Sequence, residues 1–208
     1  MKRLRPDRLI VTRPGDLRVL RILDRAASEL GVELEVREDR HFFDTPSAFR
    51  DWADGKKQLV LEHFYRTQRR RTGLLMQSDG KPEGGQWNFD KDNRETFGRQ
   101  GPGDVPRPKR FRPDETTREV LDMVAARFAD HPGSLEDFDL PVTHDQALAA
   151  LRDFISRRLA EFGAYEDAMW SGEATLYHSR LSAVLNVKLL DAKFCLEEIV
   201  ATYRRGEA

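Results

Sequence analysis

"RLIVTRPGDLRVLRILDRAASELGVELEV", Arg8 to Val36, decides the first half of the fold. Arg8-Leu9-Ile10-Val11-Thr12 is a short apolar run stopped by Pro14-Gly15. Leu17, Leu20, Leu23, Ala27 and Leu30 then recur on one helical stripe, with Gly31 as terminator. Val32 to Val36 alternates with Glu33 and Glu35, the pattern of a half-buried strand. Strand, helix and strand in that order make a βαβ unit and predict a parallel α/β sheet. Two strands do not make a doubly wound domain. The opening "MKRLRPDR" reads as the inside of a helix-to-strand connection, so the unit is expected to be truncated.

Composition sets the outer bounds. A chain of 208 residues, 39% hydrophobic with net charge −1, is an ordinary globular composition with room for one or two cores. Charged residues reach 34% but balance, so any case for nucleic acid rests on a local patch rather than on the global field. No apolar run approaches membrane-spanning length, and no signal peptide precedes the first strand, so no membrane partner is expected. The single cysteine, Cys195, excludes an internal disulfide and fits a reducing compartment. The expected location is cytoplasmic.

Outward from the βαβ unit, two short helical pieces and a longer one, Leu59 to Leu75, are expected. The longer one carries Val60, Leu61, Phe64 and Tyr65 and then "RTQRRRTG", which puts Arg66, Arg69 and Arg70 on one face. That cluster suits the phosphates of nucleic acid. A solvated basic helix end complementing the C-terminal dipole is the commoner use of such a run. Gln77 to Arg112 holds most of the glycines and prolines and little periodicity, which predicts a long irregular connection. Within it "GGQWNFDKDNR", Gly84 to Arg94, sets Trp87 and Phe89 among polar residues. These rings need cover, and the expectation is that they pin the loop onto the sheet.

The remainder reads as helical. Asp114 caps a helix with Val120, Leu121, Val124 and Phe128 inward. Thr143 and Gln146 form a capping box before a helix with Leu148, Leu151, Ile155, Leu159 and Phe162 inward and Gly163 as stop. Two further helices are expected near Ser179–Leu190 and Asp191–Tyr203. Residues 1–76 are thus expected to form a partial α/β domain, 77–112 a linker and 113–208 the start of a helical domain.

The residue pattern offers one candidate site. In "LYHSRLSAVLN", Leu176 to Asn186, Ser179 and Ser182 stand three apart where a helix is expected to begin. Hydroxyls and free amides there favour an anion, and Arg180 adds charge. Ordinary helix capping explains the same two serines and is the commoner use of them. The five histidines lack metal-ligand spacing and Cys195 lacks a neighbouring thiol or imidazole, so no metal site is expected. Neither a nucleophile elbow nor a phosphate-binding glycine loop is present in the sequence.

Longer runs carry a resemblance. "FRDWADGKKQLVLEHFYRTQRRRTGLLM", "GGQWNFDKDNR", "FGAYEDAMW" and "LYHSRLSAVLNVKLLDA" resemble the photolyase–cryptochrome superfamily, and within it the bacterial iron–sulfur branch of deoxyribodipyrimidine photolyase-related proteins. The resemblance covers nearly the whole chain. It implies an α/β antenna domain, a long linker containing "GGQWNFDKDNR", and a helical domain holding FAD. Family members carry a T-S-x-L-S run that holds the FAD pyrophosphate. The matching positions are His178, Ser179, Arg180, Leu181 and Ser182, with histidine for the usual threonine as in the iron–sulfur branch. Tyr165 falls where many relatives place an aromatic residue beside FAD. The resemblance thus shifts Ser179 and Ser182 from capping towards phosphate binding.

It also implies what is missing. Relatives run to roughly twice this length. The first antenna strand and helices, the walls around the flavin ring and the cluster cysteines are not in this chain. A four-iron, four-sulfur cluster needs four thiolates. The cluster and an antenna chromophore are therefore expected in full-length relatives but not held here, and the FAD site is partial. The implied function is light-driven repair of cyclobutane dimers or (6-4) lesions in damaged DNA, with reduced FAD donating an electron to a flipped-out lesion. That is a carbon–carbon lyase activity, for which this chain alone lacks a complete active site. The alternatives are a cryptochrome-type blue-light photoreceptor without repair activity and a truncated non-catalytic module. Open sheet and helix faces predict self-association.

Overall fold

A computed structural model describes residues 5–207; Met1–Leu4, and with them the start of the "MKRLRPDR" reading, lie outside the described residues. The chain separates into two compact units, one ending at Gln68 and one beginning at Arg69. The sequence of architectures is the expected one, mixed α/β first and helical afterwards.

In the first unit β1 (Arg8–Thr12), α1 (Leu17–Leu30) and β2 (Glu33–Arg37) form the βαβ motif. The two strands are parallel, with Arg8 opposite Glu33 and Thr12 opposite Arg37. Asp16 caps α1 by accepting the Arg18 N–H at 2.7 Å. Gly31 closes the helix in the left-handed conformation (φ 68°), which a residue with a Cβ enters only at a cost. Ala27 is buried and Leu20, Leu23 and Leu30 are half-buried, but Leu17, in the first turn, stands 58% exposed. One helix, α2 (Pro46–Ala53, capped by Thr45), follows β2 where two short pieces were expected. Its Phe49 and Trp52 pack on Phe64 of α3 (Leu61–Thr72), with centroids 5.2 and 4.8 Å apart. Helix α3 is shorter than the predicted Leu59–Leu75 at both ends, and at its C-terminal end Gly73 (φ 70°) stops it.

Residues 73–114 form no helix or strand, as their composition predicts, apart from one bridge between Met76 and Pro82. They are nonetheless held closely along the helical unit. The Glu95 N–H donates to the Ala164 carbonyl at 3.0 Å and the Phe111 N–H to the Asp139 carbonyl at 3.2 Å. The Lys109 N–H donates to Asp153 at 3.0 Å, and Arg204 pairs with Glu83 at 2.5 Å.

The helices of this unit are α4 (Glu115–Arg127), α5 (His144–Arg157), α6 (Leu159–Phe162), α7 (Ser182–Asn186) and α8 (Ala192–Arg204). Their core joins Ala147, Leu151 and Phe154 of α5 to Leu181, Val184, Leu190 and Cys195. Helix α4 stands apart from it. Val120 and Phe128, expected to face inward, are 48% and 46% exposed, and only Leu121 and Val124 are half-buried. Thr143 caps α5 by accepting the Gln146 N–H, and Gln146 returns a bond to the Val142 N–H at 2.8 Å. The capping box thus forms one residue wider than the standard reciprocal pair.

The predicted continuous helix through Phe162 is interrupted at Arg158 (φ −132°). This residue is 1% exposed, and its guanidinium donates to Asp153 at 3.0 Å and to the Pro106 carbonyl at 3.4 Å. A buried cation requires such partners, and obtaining them displaces Arg158 from the helical path. The chain resumes at Leu159, and Gly163, expected as the stop, keeps a right-handed helical conformation (φ −59°). Among the described residues no helix is long and apolar enough to cross a membrane.

Burial pushes the Asp153 carboxyl up, but the Lys109 amide and the Arg158 and Arg157 guanidiniums outweigh it and hold it below the usual aspartate range. A depressed folded pKa contributes stability above the unfolded value, and that stability is lost as pH falls through the folded pKa. Unfolding free energy is therefore expected to drop as pH falls from about 4 downward. Asp153→Asn should flatten this acid limb and lower stability near neutral pH by about 3 kcal/mol, since Arg158 loses its buried partner. Urea titrations of both proteins over this pH range check both outcomes.

Large apolar side chains stand open on both units, among them Ile22 (64%), Leu61 (81%), Met169 (88%) and Val187 (68%). Exposed apolar surface drives association. Light scattering on the purified chain should show self-association that grows with concentration; a monodisperse monomer at high concentration contradicts it.

Candidate functional site

The stretch around Ser179 is shaped by two left-handed residues. Leu176 (φ 49°) is 5% exposed, and Arg180 (φ 58°) follows four residues later. Arg180 cannot be a helical residue in that conformation, so α7 starts at Ser182 rather than at Ser179. The helix lasts five residues before Lys188 (φ 63°) turns the chain again. Leu181, 4% exposed, anchors the loop in the core. Ser179 is half-buried and its Oγ accepts the Leu181 N–H at 3.3 Å. Ser182 is exposed and makes no side-chain hydrogen bond among the described residues, and no side chain caps α7. The ordinary capping role for Ser182 is thus not the one taken here. His178 is exposed, with its ring edge-on to Phe162 at 5.8 Å.

The Arg180 charge is already engaged. Its guanidinium donates to Asp139 at 2.7 and 3.5 Å, and Arg110 Nε reaches the same carboxylate at 3.0 Å. The Arg180 hydrogen bond, against a smaller effect of burial and aided by the charges of Arg180 and Arg110, holds the Asp139 carboxyl below its ordinary range. A cleft of about 240 Å³ opens beside this group, lined by Pro106, Arg107, Arg110, Asp139, Thr175 and Arg180. Asp139 lies 41 positions from Arg180 and carries no local signature, so sequence reasoning passed over it.

Tyr165 lies flat on Phe97, with centroids 4.8 Å apart and planes at 6°, and stacks at 5.5 Å on Tyr177. Tyr177 immediately precedes His178, so the structure brings Tyr165 to the serine loop through one intervening ring. Burial, aided by the Glu161 charge, raises the Tyr177 hydroxyl above its ordinary pKa. Trp170 meets Phe97 edge-on at 6.4 Å, beside a second cleft of about 440 Å³. Phe97 was not singled out in the sequence because it sits in a stretch without periodicity.

The three arginines of α3 have separate surroundings. Arg66 pairs with Glu62 at 2.8 Å. Arg69 is 8% exposed and donates to the Leu74, Leu75 and Trp87 carbonyls, satisfying groups just beyond the helix end. Arg70 is exposed, and its guanidinium lies over the Trp87 ring at 4.6 Å. Trp87 is therefore held by the two guanidiniums at the C-terminal end of α3. Phe89 packs on Gly84, where an added Cβ would come within 2.9 Å of the ring. Among the described residues no group of three metal-ligating side chains is assembled.

Comparison with known proteins places this arrangement in a family. The profile described as "Deoxyribodipyrimidine photo-lyase-related protein" matches residues 1–140. A "(6-4) photolyase" from Agrobacterium fabrum (strain C58 / ATCC 33970) is 42% identical over 207 residues. The alignment covers 99% of this chain and 40% of that relative, so the chain spans about two fifths of the relative's length. With the profile extending over two thirds of the sequence, the chain belongs to the deoxyribodipyrimidine photo-lyase-related protein family.

Proposed function

We propose that this chain is part of a light-driven, FAD-dependent DNA repair protein, and that its lesion is of the (6-4) type. The observation that carries the reading is the 42% identity, sustained over 99% of the chain, to a relative bearing that name. The serine loop supports it. Ser182 Oγ and the uncapped start of α7 present unused hydrogen-bonding groups, and Ser179 stands beside them. This donor set fits a pyrophosphate. FAD, when bound, supplies the light-absorbing electron donor. Ser179 and Ser182 orient its phosphates, Leu181 fixes the loop to the core, and His178 stands at the loop's exposed edge. Tyr165 faces the same loop through Tyr177. Arg180 acts through Asp139 rather than as a direct counter-ion.

In this reading residues 1–76 belong to the antenna-type domain, 77–112 to the connection and 113–208 to the start of the flavin-binding domain. Arg66 and Arg70 serve as phosphate contacts for DNA, each exchanging its present partner for a backbone oxygen. Arg69 supports them from within, by holding the carbonyls that follow α3. The reaction runs in the cytoplasm. The iron–sulfur cluster and the antenna chromophore belong to the longer protein, since Cys195 supplies a single thiolate.

The purified 208-residue chain should carry little or no FAD. Cofactor sites normally bury about 70% or more of the ligand, and the serine loop forms one wall. Absorption spectra with identification of any released chromophore check this; stoichiometric flavin contradicts it.

In a longer protein carrying this chain, Ser179→Ala with Ser182→Ala should weaken FAD retention and leave the fold intact. Each lost hydrogen bond to a charged group removes about 1.5–3 kcal/mol, tempered by non-additivity. A merely structural role, such as the Ser179 Oγ bond to the Leu181 N–H, would instead lower the melting temperature with flavin affinity unchanged. FAD dissociation and thermal unfolding of the flavin-free double variant separate the two.

A further inference from the structure

The serine loop holds a conformation that its own residues do not favour. Arg180 is not glycine, yet it sits at φ 58°, in the middle of the five-residue run that carries both hydroxyls. Such a residue persists only where its surroundings over-determine it. Hydrogen bonds within the run do not suffice, because Ser179 Oγ makes a single long bond at 3.3 Å to the Leu181 amide. Among the described residues the Arg180 side chain is held from outside the run, by Asp139 at 2.7 Å.

Asp139 is well placed to act as that restraint. Its side chain is 13% exposed, so the pair is partly shielded from water and from salt. Its second oxygen accepts from Arg110 at 3.0 Å, and its backbone carbonyl accepts the Phe111 N–H at 3.2 Å. Asp139 is thereby fixed from two directions before it meets Arg180. Arg110 and Phe111 belong to the irregular stretch between residues 73 and 114. The ion pair therefore joins the serine loop to the connecting segment.

We propose that Asp139 is a positioning residue for phosphate binding: by clamping Arg180 in the left-handed conformation it sets the spacing of Ser179 and Ser182, and through Arg110 it ties that spacing to the connecting segment. The proposal rests on the reading of the serine loop as a diphosphate site. Without the clamp the loop relaxes towards ordinary backbone conformations, and apparent affinity falls by the fraction of molecules that leave the competent state. Given the usual size of such strain, the expected loss is about tenfold.

The test uses the 208-residue chain and inorganic pyrophosphate as probe, with binding followed by the backbone amide shifts of Leu181 and Ser182. The unsubstituted chain should bind weakly, with a Kd on the order of 1 mM. Asp139→Asn, which keeps shape and removes charge, should weaken binding about tenfold. Asp139→Glu, which keeps the charge, should recover part of the loss. Arg180→Gly adopts the left-handed conformation without strain, so Asp139→Asn added to Arg180→Gly should change affinity by less than about twofold. A purely structural role for Asp139 would lower the melting temperature equally in both backgrounds and would not show this dependence. If Asp139→Asn leaves affinity unchanged while Ser179→Ala with Ser182→Ala lowers it, the positioning role is wrong and the phosphate site stands. If the double serine variant binds as the unsubstituted chain does, or the unsubstituted chain shows no shift at millimolar pyrophosphate, the phosphate site itself is wrong and the inference falls with it. Should Asp139→Asn fail to fold, the comparison of Asp139→Glu with and without Arg180→Gly decides the same question.

Discussion

A guanidinium taken out of water governs the second unit. Arg158 is 1% exposed, and a cation at that depth is tolerable only with its partners in place. Asp153 supplies one, a turn back along α5, and the Pro106 carbonyl supplies another from the connecting stretch. The helix breaks to let the side chain reach them. The same carboxylate takes the Lys109 amide, so residues 106–109 are drawn against α5. That brings Arg110 to Asp139, and Asp139 to Arg180. A chain of charge contacts thus runs from a helix break to the serine loop, through a segment with no regular structure.

What was legible in the sequence was what local rules decide. The βαβ unit follows from a five-residue apolar run, a leucine stripe and a glycine that must turn left-handed, and each of these acts within a few residues. The caps read at Asp114 and Thr143 are equally local, and both form. Periodicity also places a stripe on α4, but it does not say what covers the stripe, and Val120 and Phe128 remain about half exposed. The Thr143–Gln146 pair was recognisable while the destination of the Gln146 side chain was not, because Val142 competes with Thr143 for the same oxygen.

The site was less legible for the same physical reason. Three serine-loop residues are visible as a motif, but the φ of Arg180 leaves no trace in composition, and it shortens the expected helix by three residues, from Ser179 to Ser182. Asp139 and Phe97 act from 41 and 68 positions away, distances at which no spacing rule operates. The arginines of α3 show the limit most clearly. Sequence records identical charges at 69 and 70, whereas the fold buries the first on carbonyls and lays the second on an indole.

One buried group has a use unrelated to flavin or DNA. Cys195 is the sole thiol in the chain, 5% exposed, and burial together with the Asp191 charge raises its pKa. With that core packed it is a protonated thiol on the buried face of α8, inert towards alkylating reagents. It becomes reactive when the core formed with Leu151, Phe154 and Val184 parts. The rate of its modification is therefore a built-in clock for how often that core breathes, read without adding any label to the protein.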